Sequence, residues 1–112
     1  MMEVQKPPVR WIRSYWEEGD IDYYFEFDED GWTLRQVELS GPEKRVTTAA
    51  ALAEWPDPER DGLEAIRQYE SKYGGLADQP VTSWDPGFPH EELTAGQFEE
   101  VWTSARRQIE AS

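Results

Sequence analysis

The stretch "DYYFEFDEDGWTLRQVEL" (22–39) most constrains what this chain can fold into. It alternates rings and carboxylates, turns on Asp30-Gly31, and alternates again. Period-two alternation around an Asp-Gly pair predicts a β-hairpin, with strands over 21–27 and 32–39. A two-residue loop would pair Phe27 with Leu34, Phe25 with Gln36 and Glu26 with Arg35. A three-residue loop with a bulge would shift the register by one, and both registers stay open. In either, Tyr23, Phe25 and Phe27 share one face, expected to be the buried one.

The flanking segments extend this hairpin into a meander. "VRWIRSYW" (9–16) is apolar in both parities, with Val9, Trp11 and Tyr15 on one side and Ile12 and Trp16 on the other. It reads as a strand half-buried on both faces and central in a sheet. "EEGD" (17–20) and "SGPE" (40–43) are turns, and "KRVTTAA" (44–50) supplies a fourth strand. Short connections between successive strands favour antiparallel pairing. After the Pro-rich loop 54–62, Leu63, Ile66, Tyr69 and Tyr73 recur at helical spacing, with Gly74-Gly75 as a stop, so a helix is expected near 60–73. "LADQPVTSWDPGFPHEE" (76–92) reads as irregular.

The last element carries the clearest helix signature. Thr94 and Gln97 form a capping box. Phe98, Val101, Trp102, Ala105 and Ile109 then make one apolar stripe, so helix 94–110 should cover the sheet. The fold class expected is α+β: an antiparallel sheet of about four strands packed against a C-terminal helix, with a second helix near 60–73. Residues 1–8 read as a flexible tail and 9–112 as a single domain of ordinary size.

Two blocks resemble a small actinobacterial family of uncharacterised domains. "RWIRSYW" (10–16) with "YYFEFDEDGWTLRQVEL" (23–39) matches its Trp-ended strand and Glu-x-Asp-x-x-Gly-Trp-x-x-Arg-x-Val-Glu hairpin. "LTAGQFEEVWTSA" (93–105) matches its Thr-x-x-x-Phe-Glu-x-Val-Trp-x-x-Ala helix. The matching positions are Trp16, Glu26, Asp28, Gly31, Trp32, Arg35, Val37 and Glu38, then Thr94, Phe98, Glu99, Val101, Trp102 and Ala105. Residues 55–90 depart from the pattern. The resemblance implies an antiparallel sheet with a C-terminal helix and no activity; in size and acidity the chain is also similar to bacterial immunity proteins, an analogy only.

Charge restricts the partners. Lys and Arg total 11 against 24 Asp and Glu, a formal net charge of −13 over 112 residues. Such a surface repels the phosphates of nucleic acid and of anionic lipid, and attracts a cationic protein. Solubility alone would also account for it. The chain has no cysteine, which removes disulfides, thiol catalysis and cysteine-bound zinc. No apolar run is long enough to span a membrane, and the N-terminal stretch lacks a signal-peptide core, so the cytoplasm is the expected location.

Eight acids fall between 17 and 30 with no Lys or Arg among them: Glu17, Glu18, Asp20, Asp22, Glu26, Asp28, Glu29 and Asp30. They could be a charged rim that keeps strand edges from aggregating. The alternative is a docking surface for a basic partner, with Tyr24 and Trp32 as ring anchors. "DEDG" lacks the ligand spacing of a calcium loop. Trp55 and Trp84, in Pro-rich loops, could seal the core edge or project as further anchors. Trp11, Trp16 and Trp102 lie on apolar stripes and are expected to be packed.

His90, the only histidine, reads as a solvated loop residue rather than a general base. Glu26 and Glu38 could form an acid–base pair, but Arg35 is expected to neutralise one of them. No catalytic residue, metal ligand or cofactor is therefore expected. The expected function is a small acidic, non-catalytic binding protein, an immunity protein occluding the active site of a basic toxin. The alternative is an accessory or regulatory interaction domain using Trp55 and Trp84, unrelated to toxins.

Overall fold

The computed structural model describes residues 7–77 and 90–111. Most of the expected N-terminal tail, and Trp84, lie outside the described residues. The fold is α+β: an antiparallel five-stranded sheet with two helices, the C-terminal one packed on the sheet. The strands are β1 (Arg10–Trp16), β2 (Ile21–Phe27), β3 (Thr33–Ser40), β4 (Arg45–Ala51) and β5 (His90–Leu93). A single 3₁₀ turn, Leu52–Glu54, leads from β4 toward helix α1 (Gly62–Tyr73), and α2 (Ala95–Ala111) ends the chain.

The sheet order is β4-β3-β2-β1-β5. The first four strands are the expected meander. The fifth corrects the expectation that 76–92 is irregular: His90–Leu93 pairs antiparallel with β1, with Trp11 opposite Leu93 and Ser14 opposite His90. "HEEL" has no apolar alternation of its own, and its strand conformation comes from the β1 edge that it completes. β1 is thereby an inner strand, in keeping with its two half-buried faces.

The β2–β3 register combines the two alternatives. Phe25 faces Gln36 and Glu26 faces Arg35, as a two-residue loop would require, but Phe27 faces Thr33, and the shift between Glu26 and Phe27 leaves Leu34 as the extra residue. The loop closes on Asp28 instead of on Asp30-Gly31. The Asp28 N–H donates to Trp32 O at 3.1 Å, and Gly31 N–H donates to Asp28 O at 3.0 Å. Only Gly31, at φ 84°, takes the left-handed conformation there. Asp30 does not, so the loop is no type I′ turn.

The helix lies on the face opposite to the one expected. Tyr23, Phe25 and Phe27 do share a face, and their rings stack in sequence at centroid distances of 5.9 and 5.5 Å. α2, however, packs across Tyr24, Val37, Leu39, Val46 and Ala49, using Val101, Trp102, Ala105 and Ile109. Its N-terminus carries the reciprocal capping box: Gln97 N–H donates to Thr94 Oγ1, and Thr94 N–H donates to Gln97 Oε1. The chain crosses the ring-ladder face after α1, where Gly74 rests on Thr48 and Ala77 N–H donates to Gln36 Oε1 at 2.9 Å. Leu63, placed on the α1 stripe by spacing, is 65% exposed, and α1 has no fully buried residue.

Candidate functional site

The acid run does not form one surface. Asp22 and Glu26 point to the sheet face that α2 covers, Asp28 sits in the β2–β3 loop, and the two ends of β2 hold the outer members about 20 Å apart, taking ~3.3 Å per strand residue. Asp22, Glu26 and Asp28 are buried. A buried carboxylate persists only with partners close by, and each of these has them.

Asp22, 1% exposed, is held from two sides. Arg13 Nη2 donates to Oδ1 at 2.8 Å and Lys44 Nζ to Oδ2 at 2.6 Å. Burial opposes its ionisation, but the two cations outweigh that and hold its carboxyl below the usual range. Glu26 receives a two-pronged bond from Arg35, Nε to Oε1 at 2.7 Å and Nη2 to Oε2 at 2.8 Å, and Trp11 Nε1–H donates to Oε2 at 2.9 Å. Arg35 also reaches Glu99 on α2 at 2.7 Å and lies over the rings of Phe98 and Trp102 at 5.1 and 5.0 Å. Burial works against the Arg35 charge; Glu26 and Glu99 outweigh it, so its pKa is raised. The expected cross-strand Arg35–Glu26 pair is thus a buried tie between sheet and helix. Glu38 instead accepts from Gln36 Nε2 at 2.9 Å, so Glu26 and Glu38 form no acid–base pair.

Asp28 is the scaffold of the β2–β3 loop. Its Oδ1 accepts the N–H of Asp30 at 2.9 Å and of Trp32 at 3.0 Å. Four donor–acceptor contacts therefore fix this loop in one shape. Asp22 and Asp28, both expected at a partner interface, are corrected to internal structural roles. Tyr24 is corrected likewise: it packs in the sheet–α2 core with the Arg13 guanidinium 6.0 Å from its ring. Trp55 sits edge-on against Tyr69 at 5.2 Å and is partly buried.

What stays outward is displayed at the two ends of β2. At one end, Glu29 and Asp30 are exposed and Trp32 is 43% exposed, beside an open groove of about 380 Å³ lined by Val9, Arg10, Phe27 and the loop 28–31. At the other, Glu17 and Glu18 are exposed, and Asp20 is half-buried with the Tyr15 hydroxyl donating to it at 2.8 Å. Trp16, expected to be packed, is 46% exposed at this end. It is the last residue of β1, and its ring lies on the backbone of Gly19 in the turn that follows.

Seven ion pairs among the described residues tie six of the cations to acids, three of the pairs reaching the buried Asp22 and Glu26. Arg10 pairs with Glu92, Arg13 and Lys44 with Asp22, Arg35 with Glu26 and Glu99, Arg60 with Asp61, and Arg106 with Glu54. Of the acid run, Glu17, Glu18, Glu29 and Asp30 are left exposed.

Sequence reading missed the cluster around Arg106. Its Nε donates to the Ala49 carbonyl at 2.7 Å, and its guanidinium lies 3.9 Å from the Tyr73 ring and 4.5 Å from the Trp102 ring. Its other nitrogens reach Glu54 and the Tyr69 hydroxyl. Tyr69 in turn accepts the Ala51 N–H at 2.8 Å, and burial first, then Glu54, pushes its pKa up to about 12. Arg106 and Tyr69 so cover backbone groups on the β4 edge that would otherwise face outward. Apart from the Trp102 ring, four positions before it on α2, the partners of Arg106 come from β4, the 3₁₀ turn and α1, so local periodicity carries no trace of them.

His90 is exposed on β5 and lines a shallow recess with Arg13, Tyr15 and Glu91. Among the described residues no three His, Asp or Glu side chains come together to hold a metal ion, and no helix is long and apolar enough to cross a membrane. No protein-family model, curated protein or solved structure matches this chain.

Proposed function

We propose that this chain is a small acidic, non-catalytic binding protein that docks on a basic protein partner and occludes its cationic cleft. The observation that carries the reading is the division of charge within the acid run: Arg13, Lys44 and Arg35 are spent on its buried members Asp22 and Glu26, while its other acids and two indoles stay outward at the ends of β2. A cleft that binds nucleic acid is the kind of cationic surface such a molecule would cover, so the partner class proposed is a toxin acting on nucleic acid and the role that of an immunity protein. The resemblance to the actinobacterial domains adds no activity to this proposal. The five acids outside the core attract such a partner at a distance; the exposed rings supply contact area once it has arrived.

The test is co-purification of this chain with the product of the adjacent gene at low and high salt. A basic partner should be held at about 0.05 M salt and released near 1 M, where the Debye length falls to about 3 Å. Its toxicity in cells should be suppressed by co-expression of this chain. Retention that is indifferent to salt and to the paired charge reversals Glu17→Lys/Glu18→Lys and Glu29→Lys/Asp30→Lys would contradict the reading.

A further inference from the structure

The β1–β2 turn holds an aromatic surface that the sequence pattern assigned to the core. Trp16 is the last residue of β1, and its six-membered ring lies on the backbone of Gly19: a Cβ added there would fall 2.4 Å from Cε3 and 2.5 Å from Cζ3. Glycine at 19 is what lets the ring lie down. The turn beneath is held firmly. Asp20 N–H donates to Glu17 O at 3.2 Å, and Gly41 N–H from the β3–β4 turn donates to Asp20 O at 2.9 Å. The indole is thus pinned on one side and 46% exposed in total, with the exposed acids Glu17 and Glu18 following it directly.

This chain repeatedly seats a cation over a ring with a carboxylate at hand. Lys44 lies 5.4 Å from the Tyr15 ring and bonds Asp22. Arg106 lies over Tyr73 and Trp102 and bonds Glu54; Arg35 lies over Phe98 and Trp102 and bonds Glu26 and Glu99. At Trp16 the ring is open and Glu17 and Glu18 are the next two residues of the chain, yet among the described residues no Lys or Arg lies over it. An indole is the best of the three rings for this contact. A guanidinium suits it better than an ammonium, because it stacks flat on an indole and forks to carboxylates.

We propose that the open surface of Trp16, flanked by Glu17 and Glu18, receives an arginine side chain of the basic protein partner. This rests on the acidic-docking reading above and assigns the arginine contact to the β1–β2 end of the molecule, not to the Trp32 loop. A ring already fixed by Gly19 loses little freedom on contact, which favours it as an anchor.

The experiment uses the full chain, ¹⁵N-labelled, titrated with acetylated hexa-arginine amide and, in parallel, hexa-lysine amide at about 20 mM salt, where screening is weak. The indole N–H resonances are followed, that of Trp16 being assigned from Trp16→Phe. The Trp16 indole should move most, and hexa-arginine should bind more tightly than hexa-lysine. Trp16→Leu should weaken hexa-arginine about two- to fivefold, the range expected for an exposed cation–ring contact. Glu17→Gln/Glu18→Gln, at two exposed positions that leave the core untouched, should weaken both peptides. Gly19→Ala should displace the ring and weaken hexa-arginine with both acids still in place. Movement centred on the Trp32 indole, with Trp16 unmoved, would overturn this assignment and leave the docking reading standing. No movement of any resonance would overturn both.

Discussion

Replacing Arg106 with Met removes the guanidinium and keeps most of the aliphatic stem, so it isolates what the charged head does. Five contacts are lost, of which the 3.2 Å bond to the Tyr69 hydroxyl is the longest hydrogen bond. The bond to the Ala49 carbonyl is charge-assisted and about 1.5 kcal/mol or more. The two ring contacts, at 3.9 and 4.5 Å, contribute about 0.5–1 kcal/mol each. The ion pair with Glu54 adds at most about 1 kcal/mol, because Glu54 is 44% exposed. Their sum overstates the effect, since they share one side chain, and about 2–4 kcal/mol is expected. At roughly 4 °C per kcal/mol for a domain of this size, the thermal midpoint should fall by about 8–16 °C. The loss should be uneven. Amide exchange should quicken first over α1 and at Ala51, because α1 has no fully buried residue and meets the sheet through Tyr69 and Tyr73. Arg106→Lys, which keeps the charge without the planar fork, should recover less than half of the loss. A midpoint drop under about 2 °C, or unchanged exchange in α1, would refute the idea that this side chain clamps α1 to the β4 edge.

Acid should unfold the protein partly through Asp22. Because its folded pKa is depressed by Lys44 and Arg13, its stabilisation is present above the unfolded value of about 3.9 and is lost as pH falls through the lower folded value. Asp22→Asn should be less stable than the parent at pH 7, by about 2–3 kcal/mol in denaturant unfolding, and the gap should close as pH falls through the depressed folded pKa of Asp22. Thr94→Ala should cost about 1 kcal/mol in the same assay by removing half of the capping box. Gly74→Ala should cost more than that, because Gly74 has φ 83° and a Cβ there would lie 2.4 Å from Thr48 Oγ1.

The strands of the meander, both helices and the capping box were legible because each is written in local alternation or in residues three and four apart. What escaped was whatever depends on distant partners. Periodicity placed Tyr23, Phe25 and Phe27 on one face correctly, but it assumed that carboxylates face water. Asp22 and Glu26 are buried on the face that α2 covers because Arg13, Lys44, Arg35 and Trp11 come to them from other strands and turns. The short β5 was invisible because "HEEL" becomes a strand only beside β1. Trp16 shows the converse error: its parity matched Ile12, which is fully buried, but at the strand's end its ring lies over the turn at Gly19 and stays 46% exposed. Of the docking residues expected, Glu17, Glu18, Glu29, Asp30 and Trp32 are where a partner could reach them, Asp20 is half-buried in its turn, Trp55 is partly buried against Tyr69, and Asp22, Tyr24 and Asp28 have structural partners instead.

The most direct test of the charge division is paramagnetic relaxation of the backbone amides by a cationic, a neutral and an anionic nitroxide of matched size. The account predicts that the cationic probe, relative to the neutral one, accumulates at residues 16–19 and 29–32, while amides beside Asp22 and Glu26 show no excess. Equal enhancement by all three probes at both turns, or an excess of the anionic probe there, would contradict it.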